Sequence, residues 1–117
     1  MSKRLVIVVL LLTALTGGAY ADARSDAKAQ VEFGISVAQR GLWKEALYRW
    51  ERATQIDPTY AAAFNNLAVG DEHEGMLDKA AGAYERALKL EPNNALVRQN
   101  FELFKEIHDR TNQSQTP

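Results

Sequence analysis

Apolar residues recur at helical spacing along most of this chain. In the segments 43–56, 77–90 and 96–107 they return every three or four positions, which places them on one face of an α-helix. Glycine or proline lies between most of these segments, and both residues favour turns over helix. The pattern predicts five helices, near residues 26–39, 43–56, 60–73, 77–90 and 94–109.

A shift of 34 residues superimposes much of the chain on itself. Small residues then fall on small residues and aromatic residues on aromatic residues. The coincident pairs are Gly41 with Gly75, Ala46 with Ala80, Trp50 with Tyr84, Ala53 with Ala87, and Pro58 with Pro92. A repeat of this length indicates a solenoid of stacked helical units.

The repeated residues resemble the tetratricopeptide repeat, whose unit of about 34 residues reads W-x2-L-G-x2-Y, then A-x3-F, then P. The resemblance implies an all-α fold: a short α-solenoid of two helix-turn-helix units, 27–60 and 61–94, followed by a capping helix at 95–110. The repeat-packing positions that it implies are Phe33, Gly34, Gly41, Ala46, Trp50, Ala53 and Pro58 in the first unit and Leu67, Ala68, Gly75, Ala80, Tyr84, Ala87 and Pro92 in the second.

Each of these residue types has a physical role. Ala46 and Ala80 are small where two helices of a unit cross, so the backbones can approach closely. Gly41 and Gly75 fall between the two helices of each unit, where a positive φ lets the chain reverse. Pro58 ends the second helix because proline has no amide hydrogen to donate.

The second unit departs from the pattern at three positions. Asp71 stands where the pattern has tyrosine, and Gly70 and Gly82 fall inside helices. A glycine in a helix interior costs about 0.5 to 1 kcal/mol relative to alanine. We therefore expect the second unit to be the weaker one, and two units plus a cap either to have a modest melting temperature or to gain stability from self-association.

The N-terminal residues predict an export signal. Lys3 and Arg4 precede an apolar run over residues 5–15, and Ala19-Tyr20-Ala21 has the small-x-small form that signal peptidase cleaves. We expect residues 1–21 to be a signal peptide cleaved after Ala21, which predicts a periplasmic or secreted protein. The alternative is an uncleaved anchor, since residues 5–21 form an uncharged stretch of 17 residues. Residues 22–26 would be a short leader and 111–117 a disordered tail.

Composition excludes several classes of function. The 14 basic and 15 acidic residues give a formal net charge of −1, too weak a field to gather nucleic acid. Cysteine is absent, which removes disulfides, thiolate metal sites and cysteine nucleophiles. Neither a nucleophile elbow nor a phosphate-binding glycine loop occurs. We expect no enzyme activity and no cofactor.

A metal site is not expected either. Residues 71–74 read Asp-Glu-His-Glu, but consecutive helical residues point in different directions. Only Asp71 and Glu74 share a face.

By the resemblance, the first helix of each unit lines a concave face that binds peptides. The groove residues so implied are Lys28, Val31, Ile35, Gln39, Asn65, Asn66, Val69, Glu72, His73, Gln99 and Leu103. Val31, Ile35, Val69 and Leu103 would form an apolar floor. Asn65 and Asn66 could each hydrogen-bond a peptide amide, or could merely begin a well-capped turn.

The sequence therefore predicts an exported scaffold that binds another protein or a peptide. The alternative is a self-assembling structural protein of the cell envelope, a dimer or head-to-tail chain. In that case, Leu96, Val97, Phe104 and Ile107 would be exposed on the capping helix. Membrane contact is expected only through an uncleaved N-terminal segment.

Overall fold

The computed structural model describes the backbone of residues 2–115 and the side chains of residues 18–115. Over this part of the chain the fold consists of five α-helices. They are α1 (Ser2–Gln39), α2 (Trp43–Ile56), α3 (Ala61–His73), α4 (Leu77–Leu90) and α5 (Ala95–Ser114). The helix α1 packs on α2, α3 packs on α4, and α5 packs on α4. The predicted all-α fold of two helix pairs and a further helix is confirmed.

The turns inside the two pairs have the same geometry. Gly41 and Gly75 have φ angles of 81° and 76°, which only glycine adopts without strain. In both turns an amide reaches back five residues: Leu42 N donates to Val37 O at 3.0 Å, and Met76 N donates to Asp71 O at 2.8 Å. These bonds satisfy carbonyls left open at the helix ends.

The core consists of two clusters that meet at the half-buried Leu67. The first joins α1, α2 and α3 and contains Ala27, Val31, Val37, Ala46, Trp50, Ala53 and Ala63. The second joins α3, α4 and α5 and contains Ala68, Ala80, Ala83, Tyr84 and Phe104. Alanine at the helix crossings allows each pair to close around one large aromatic side chain.

Trp50 fills the space between α1 and α3. A Cβ atom at Gly34 would lie 2.8 Å from Cδ1 of the indole, and one at Gly70 would lie 2.9 Å from Cζ3. The prediction treated Gly70 only as a weak point of its helix, and this was incomplete, because the tryptophan needs a glycine there. Gly82 has no such neighbour within 4 Å.

Three sequence predictions are corrected by the structure. Phe33 was expected in the repeat core, but 47% of its surface is exposed and the Arg49 guanidinium covers its ring at 4.4 Å. Residues 22–26 are part of α1 rather than a separate leader. The segment 111–114 continues α5 rather than being disordered, with Thr111 Oγ1 donating to Ile107 O at 3.0 Å.

The predicted signal peptide, residues 1–21, lies largely outside the part of the chain whose side chains are described. Over residues 18–115, whose side chains are described, no helix is long and apolar enough to cross a membrane. Arg24 is fixed to the rest of the fold: its Nε donates to Asp57 Oδ2 at 2.6 Å, and its guanidinium lies 4.6 Å from the ring centre of Tyr60. This pairing holds the middle of α1 against the loop between α2 and α3.

Candidate protein-binding groove

We use the term groove face for the surface that the first helices α1 and α3, together with α5, present to solvent. Nine of the eleven predicted groove residues are exposed or half-buried on these helices. They are Lys28, Ile35, Gln39, Asn66, Val69, Glu72, His73, Gln99 and Leu103. The remaining two, Val31 and Asn65, are buried.

Val31 belongs to the core and not to the groove. Its exposed fraction is 4%, and the indole Nε1 of Trp50 donates to its carbonyl oxygen at 3.2 Å. The residue lies on the stripe of α1 that contains Ala27 and Gly34, and this stripe packs on α2. The prediction that Val31 contributes to the groove floor was therefore wrong.

Asn65 has a partner inside the protein. Its exposed fraction is 7%, and its Oδ1 accepts a hydrogen bond from Asn100 Nδ2 at 3.2 Å. The amide pair joins α3 to α5, so the predicted ligand contact by Asn65 is replaced by a structural role. Its neighbour Asn66 remains half-buried on the groove face, with Nδ2 donating to Ala62 O at 2.8 Å.

The groove face contains a pocket of about 230 Å³ between α1 and α3. It is lined by Ile35, Ala38, Gln39, Trp43, Trp50 and Asn66. Two indole rings and an isoleucine give it apolar walls, while the two amide side chains can donate to and accept from a peptide backbone. An apolar pocket with a few polar groups is the usual form of a recognition site.

Two other groove residues are held by the second helices. Tyr84 OH donates to Glu72 Oε2 at 3.0 Å. Burial and the neighbouring Glu72 carboxylate raise the pKa of Tyr84 well above its usual value. The imidazole of His73 stacks on Trp43, with ring centres 3.8 Å apart. Glu72 and His73 therefore have defined positions without a ligand.

The helix α5 contributes an apolar stripe. Leu96, Leu103 and Ile107 are exposed to 61%, 55% and 50%, and their spacing of seven and four residues places them on one side of the helix. Val97 and Phe104 point inward and are buried. The stripe lies beside Gln99, whose side chain is also exposed.

Trp43 was not among the predicted groove residues, although it forms a wall of the pocket. The repeat pattern assigns groove positions to the first helix of each unit, and Trp43 begins the second. Its sequence signal was a second tryptophan on α2, since Trp50 by itself fills the crossing of the helices.

Comparison with known families matches two repeat models to the chain. A model described as TPR repeat matches residues 37–69, and one described as tetratricopeptide repeat matches residues 61–94. The second match has the bounds predicted for the second unit. The first begins inside α1 and extends into α3.

Three curated proteins are similar to this chain. The photosystem I assembly protein Ycf3 of Rippkaea orientalis is 30% identical, covering 58% of this chain and 47% of its own length. The chloroplastic tetratricopeptide repeat domain-containing protein PYG7 of Arabidopsis thaliana is 29% identical, with shares of 62% and 24%. The type IV pilus assembly protein PilF of Pseudomonas aeruginosa is 30% identical, with shares of 86% and 44%.

The chain spans less than half the length of these relatives. Arrays of such helical repeats present extended surfaces to other proteins and are in general not catalytic. The two matches together run from the end of α1 through α2, α3 and α4, and the chain therefore contains tetratricopeptide repeats over residues 37–94.

Proposed function

We propose that this protein is an exported scaffold that holds a peptide segment of a partner protein on its groove face. The observation that carries the proposal is the pocket between α1 and α3, where Trp43, Trp50 and Ile35 form apolar walls beside the amides of Gln39 and Asn66. An extended or helical segment would place one apolar side chain in this pocket. Its backbone would be hydrogen-bonded by the two amides.

The exposed stripe of α5 extends this surface. Leu103 and Ile107 are half exposed or more, so a segment that leaves the pocket can bury further apolar side chains on α5. Burial of a leucine-sized side chain stabilises a complex by about 1.5 to 3 kcal/mol. Two anchors, one in the pocket and one on α5, would contribute about 3 to 6 kcal/mol before the cost of association, and the backbone hydrogen bonds and further contacts would supply the rest.

The names of the relatives favour a role in assembly. Ycf3 is named for photosystem I assembly and PilF for type IV pilus assembly. A scaffold that holds one segment of another protein would serve such a role. We propose that this chain also helps to build a protein assembly, without naming which assembly.

Export is part of the proposal. It rests on Lys3, Arg4, the apolar run of residues 5–15 and the cleavage motif that ends at Ala21. Expression of the full chain in a bacterium, followed by fractionation and N-terminal sequencing, tests it. A mature N-terminus at Asp22 in the periplasm or medium supports export and cleavage. An intact chain in the membrane fraction supports the anchor instead.

The groove is tested by site-specific photocrosslinking. A photoreactive phenylalanine analogue at Gln39 should crosslink a partner that the same analogue at Tyr48, exposed on α2 away from the groove face, does not. A peptide from the crosslinked region should then bind the purified protein. The variants Ile35→Glu and Leu103→Glu should each weaken its binding by about tenfold or more, a loss of about 1.4 kcal/mol. Equal weakening by Tyr48→Glu would contradict the proposal.

The second candidate function is self-assembly, favoured by the exposure of Leu96, Leu103 and Ile107 on one side of α5. In that case, α5 of one copy would occupy the groove face of another. Light scattering of residues 22–117 over a wide concentration range separates the two functions. A monomer leaves the groove free for a partner, whereas a dimer or longer chain whose melting temperature rises with concentration favours self-assembly.

A further inference from the structure

A second pocket lies between α2, α3 and α4, with a volume of about 310 Å³. It is lined by Glu51, Phe64, Leu67, Asp71, Lys79, Gly82, Ala83 and Arg86. None of these residues lines the pocket between α1 and α3, so this pocket is a separate feature of the molecule.

Comparison of the two repeat units shows why the pocket is open. Gly82 and Ala83 correspond, at a distance of 34 residues, to Tyr48 and Arg49 of the first unit. In the first unit the Arg49 guanidinium lies 4.4 Å from the ring centre of Phe33 and 5.6 Å from that of Tyr48. The second unit has replaced both large side chains with the two smallest residues, and no atom lies within 4 Å of a Cβ atom built at Gly82.

Asp71 gives this pocket a polar floor. Its exposed fraction is 3%, and its carboxylate accepts no hydrogen bond from the described residues. Every fully buried side-chain oxygen and nitrogen in this part of the chain has a partner, so the Asp71 oxygens still touch the open pocket. Burial raises the pKa of Asp71, against a smaller opposing effect of Lys79.

A buried carboxylate without a donor costs free energy that a ligand with a donor can recover. The first unit carries Val37 at the equivalent position, where no donor is needed. The packing of the repeat therefore does not explain Asp71, and this residue indicates a ligand.

The charges around the pocket identify the kind of donor. Glu51 and Asp71 are balanced by Lys79 and Arg86, so the pocket favours neither a cation nor an anion. Phe64, Leu67 and Ala83 supply an apolar wall. The Arg86 guanidinium lies 5.7 Å from the ring centre of Phe64, so it can also contact an aromatic ring of a bound ligand. A neutral aromatic group with one hydrogen-bond donor matches this surface.

We propose that this pocket receives a tyrosine side chain of a partner protein, with the ring against Phe64 and Leu67 and the hydroxyl donating to Asp71. The ring would take the place that Tyr48 and Arg49 fill in the first unit. This pocket shares no lining residue with the pocket between α1 and α3. The proposal of a tyrosine site is therefore tested separately from the proposed peptide binding.

The test is a titration of the isotope-labelled protein with N-acetyl-tyrosinamide, followed by the backbone amide signals in NMR spectra. We expect shifts concentrated at Asp71, Gly82 and Ala83. N-acetyl-phenylalaninamide, which lacks only the hydroxyl, should bind more weakly by about tenfold or more, because one hydrogen bond to a charged acceptor is lost. Equal affinity for the two probes, tighter binding of N-acetyl-tryptophanamide, or shifts centred on Ile35 and Asn66 would overturn the proposal.

Two variants of the pocket complete the test, each restoring the residue of the first unit. Gly82→Tyr fills the pocket and should abolish the shifts at Asp71 and Ala83, whereas Gln55→Tyr, at an exposed position of α2 that lines neither pocket, should leave them intact. Asp71→Val should remove the preference for the tyrosine probe over the phenylalanine probe. The carboxyl carbon signal of Asp71 should titrate at a lower pH when the tyrosine probe is present. Unchanged binding in Gly82→Tyr, or an unchanged carboxyl titration, would overturn the assignment.

Discussion

The indole of Trp50 occupies the space that any side chain at Gly70 would need, since a Cβ atom there would lie 2.9 Å from Cζ3 of the ring and 2.8 Å from Cδ2 of Leu47. Trp50 cannot move freely, because it is buried between α1 and α3 and donates to the Val31 carbonyl. Two helix pairs are thus joined through one tryptophan and the glycines that flank it.

Gly70→Ala should destabilise the protein for this reason. Overpacking of a core costs about 1 to 3 kcal/mol, which exceeds the gain of about 0.5 to 1 kcal/mol that alanine brings to a helix interior. Urea unfolding measures the change in the free energy of unfolding. A variant as stable as the wild type would show that Trp50 can move aside.

Gly82→Ala is the matched control and should have the opposite sign. Gly82 is exposed, and a Cβ atom there meets nothing within 4 Å. The substitution should therefore raise the free energy of unfolding by about 0.5 to 1 kcal/mol. A loss of stability at this position would contradict the structure of α4.

The ion pair between Arg24 and Asp57 should make part of the free energy of unfolding depend on pH in the acid range. Burial by itself would raise the pKa of Asp57, but hydrogen bonds from Thr59 and Arg24 outweigh it and hold the pKa below its usual value of 3.8. A lowered pKa means that this stabilisation is present above pH 3.8 and is lost as the pH falls through the folded pKa. Arg24→Ala should cost about 1 kcal/mol or less at pH 7, since Arg24 is half exposed.

The measurement is the free energy of unfolding of wild type and Arg24→Ala between pH 7 and pH 2. Their difference should shrink as Asp57 becomes protonated. Arg52→Ala, an exposed arginine on α2 without an ion pair among the described residues, should show no such pH dependence. A constant difference for Arg24→Ala would contradict the assigned pair.

Tyr84 predicts an alkaline limit to stability. Burial and the Glu72 carboxylate raise its pKa above the usual 10.0, so the folded state retains the phenolic proton after the unfolded state has lost it. The resulting stabilisation is present below pH 10 and is lost as the pH rises toward the folded pKa. The ultraviolet difference titration between wild type and Tyr84→Phe should therefore show its transition well above pH 10. A midpoint near 10 would mean that the ring is solvated.

Asn65 and Asn100 should be energetically coupled. A double-mutant cycle with alanine at both positions should give a coupling of about 0.5 to 1.5 kcal/mol, the range of a net hydrogen bond. Asn65 paired with the exposed Gln99 provides the control, for which additivity is expected. Additivity of Asn65 and Asn100 would leave α5 attached by its apolar side chains alone.

The sequence by itself determined the repeat and its local geometry. The 34-residue spacing places glycine in both turns and alanine at both helix crossings, and each of these requirements is local: a positive φ at Gly41 and Gly75, and a close approach at Ala46 and Ala80. A positive φ favours glycine and a close approach of two helices favours alanine, so each requirement can be recognised from the residue type. For the same reason, the five helices and most residues exposed on the groove face could be predicted.

Only the tertiary structure decided which residues of a face are covered. Val31 and Ile35 lie one helical turn apart on α1, yet one is buried under Trp50 and the other is 38% exposed. Leu67 packs against the core cluster that α2 helps to build, whereas its counterpart Phe33 meets only the Arg49 guanidinium of α2 among the ring contacts of the described residues and stays 47% exposed. Periodicity shows where a side chain points, but its burial depends on which neighbour lies above it, and that is set by the packing of the whole array.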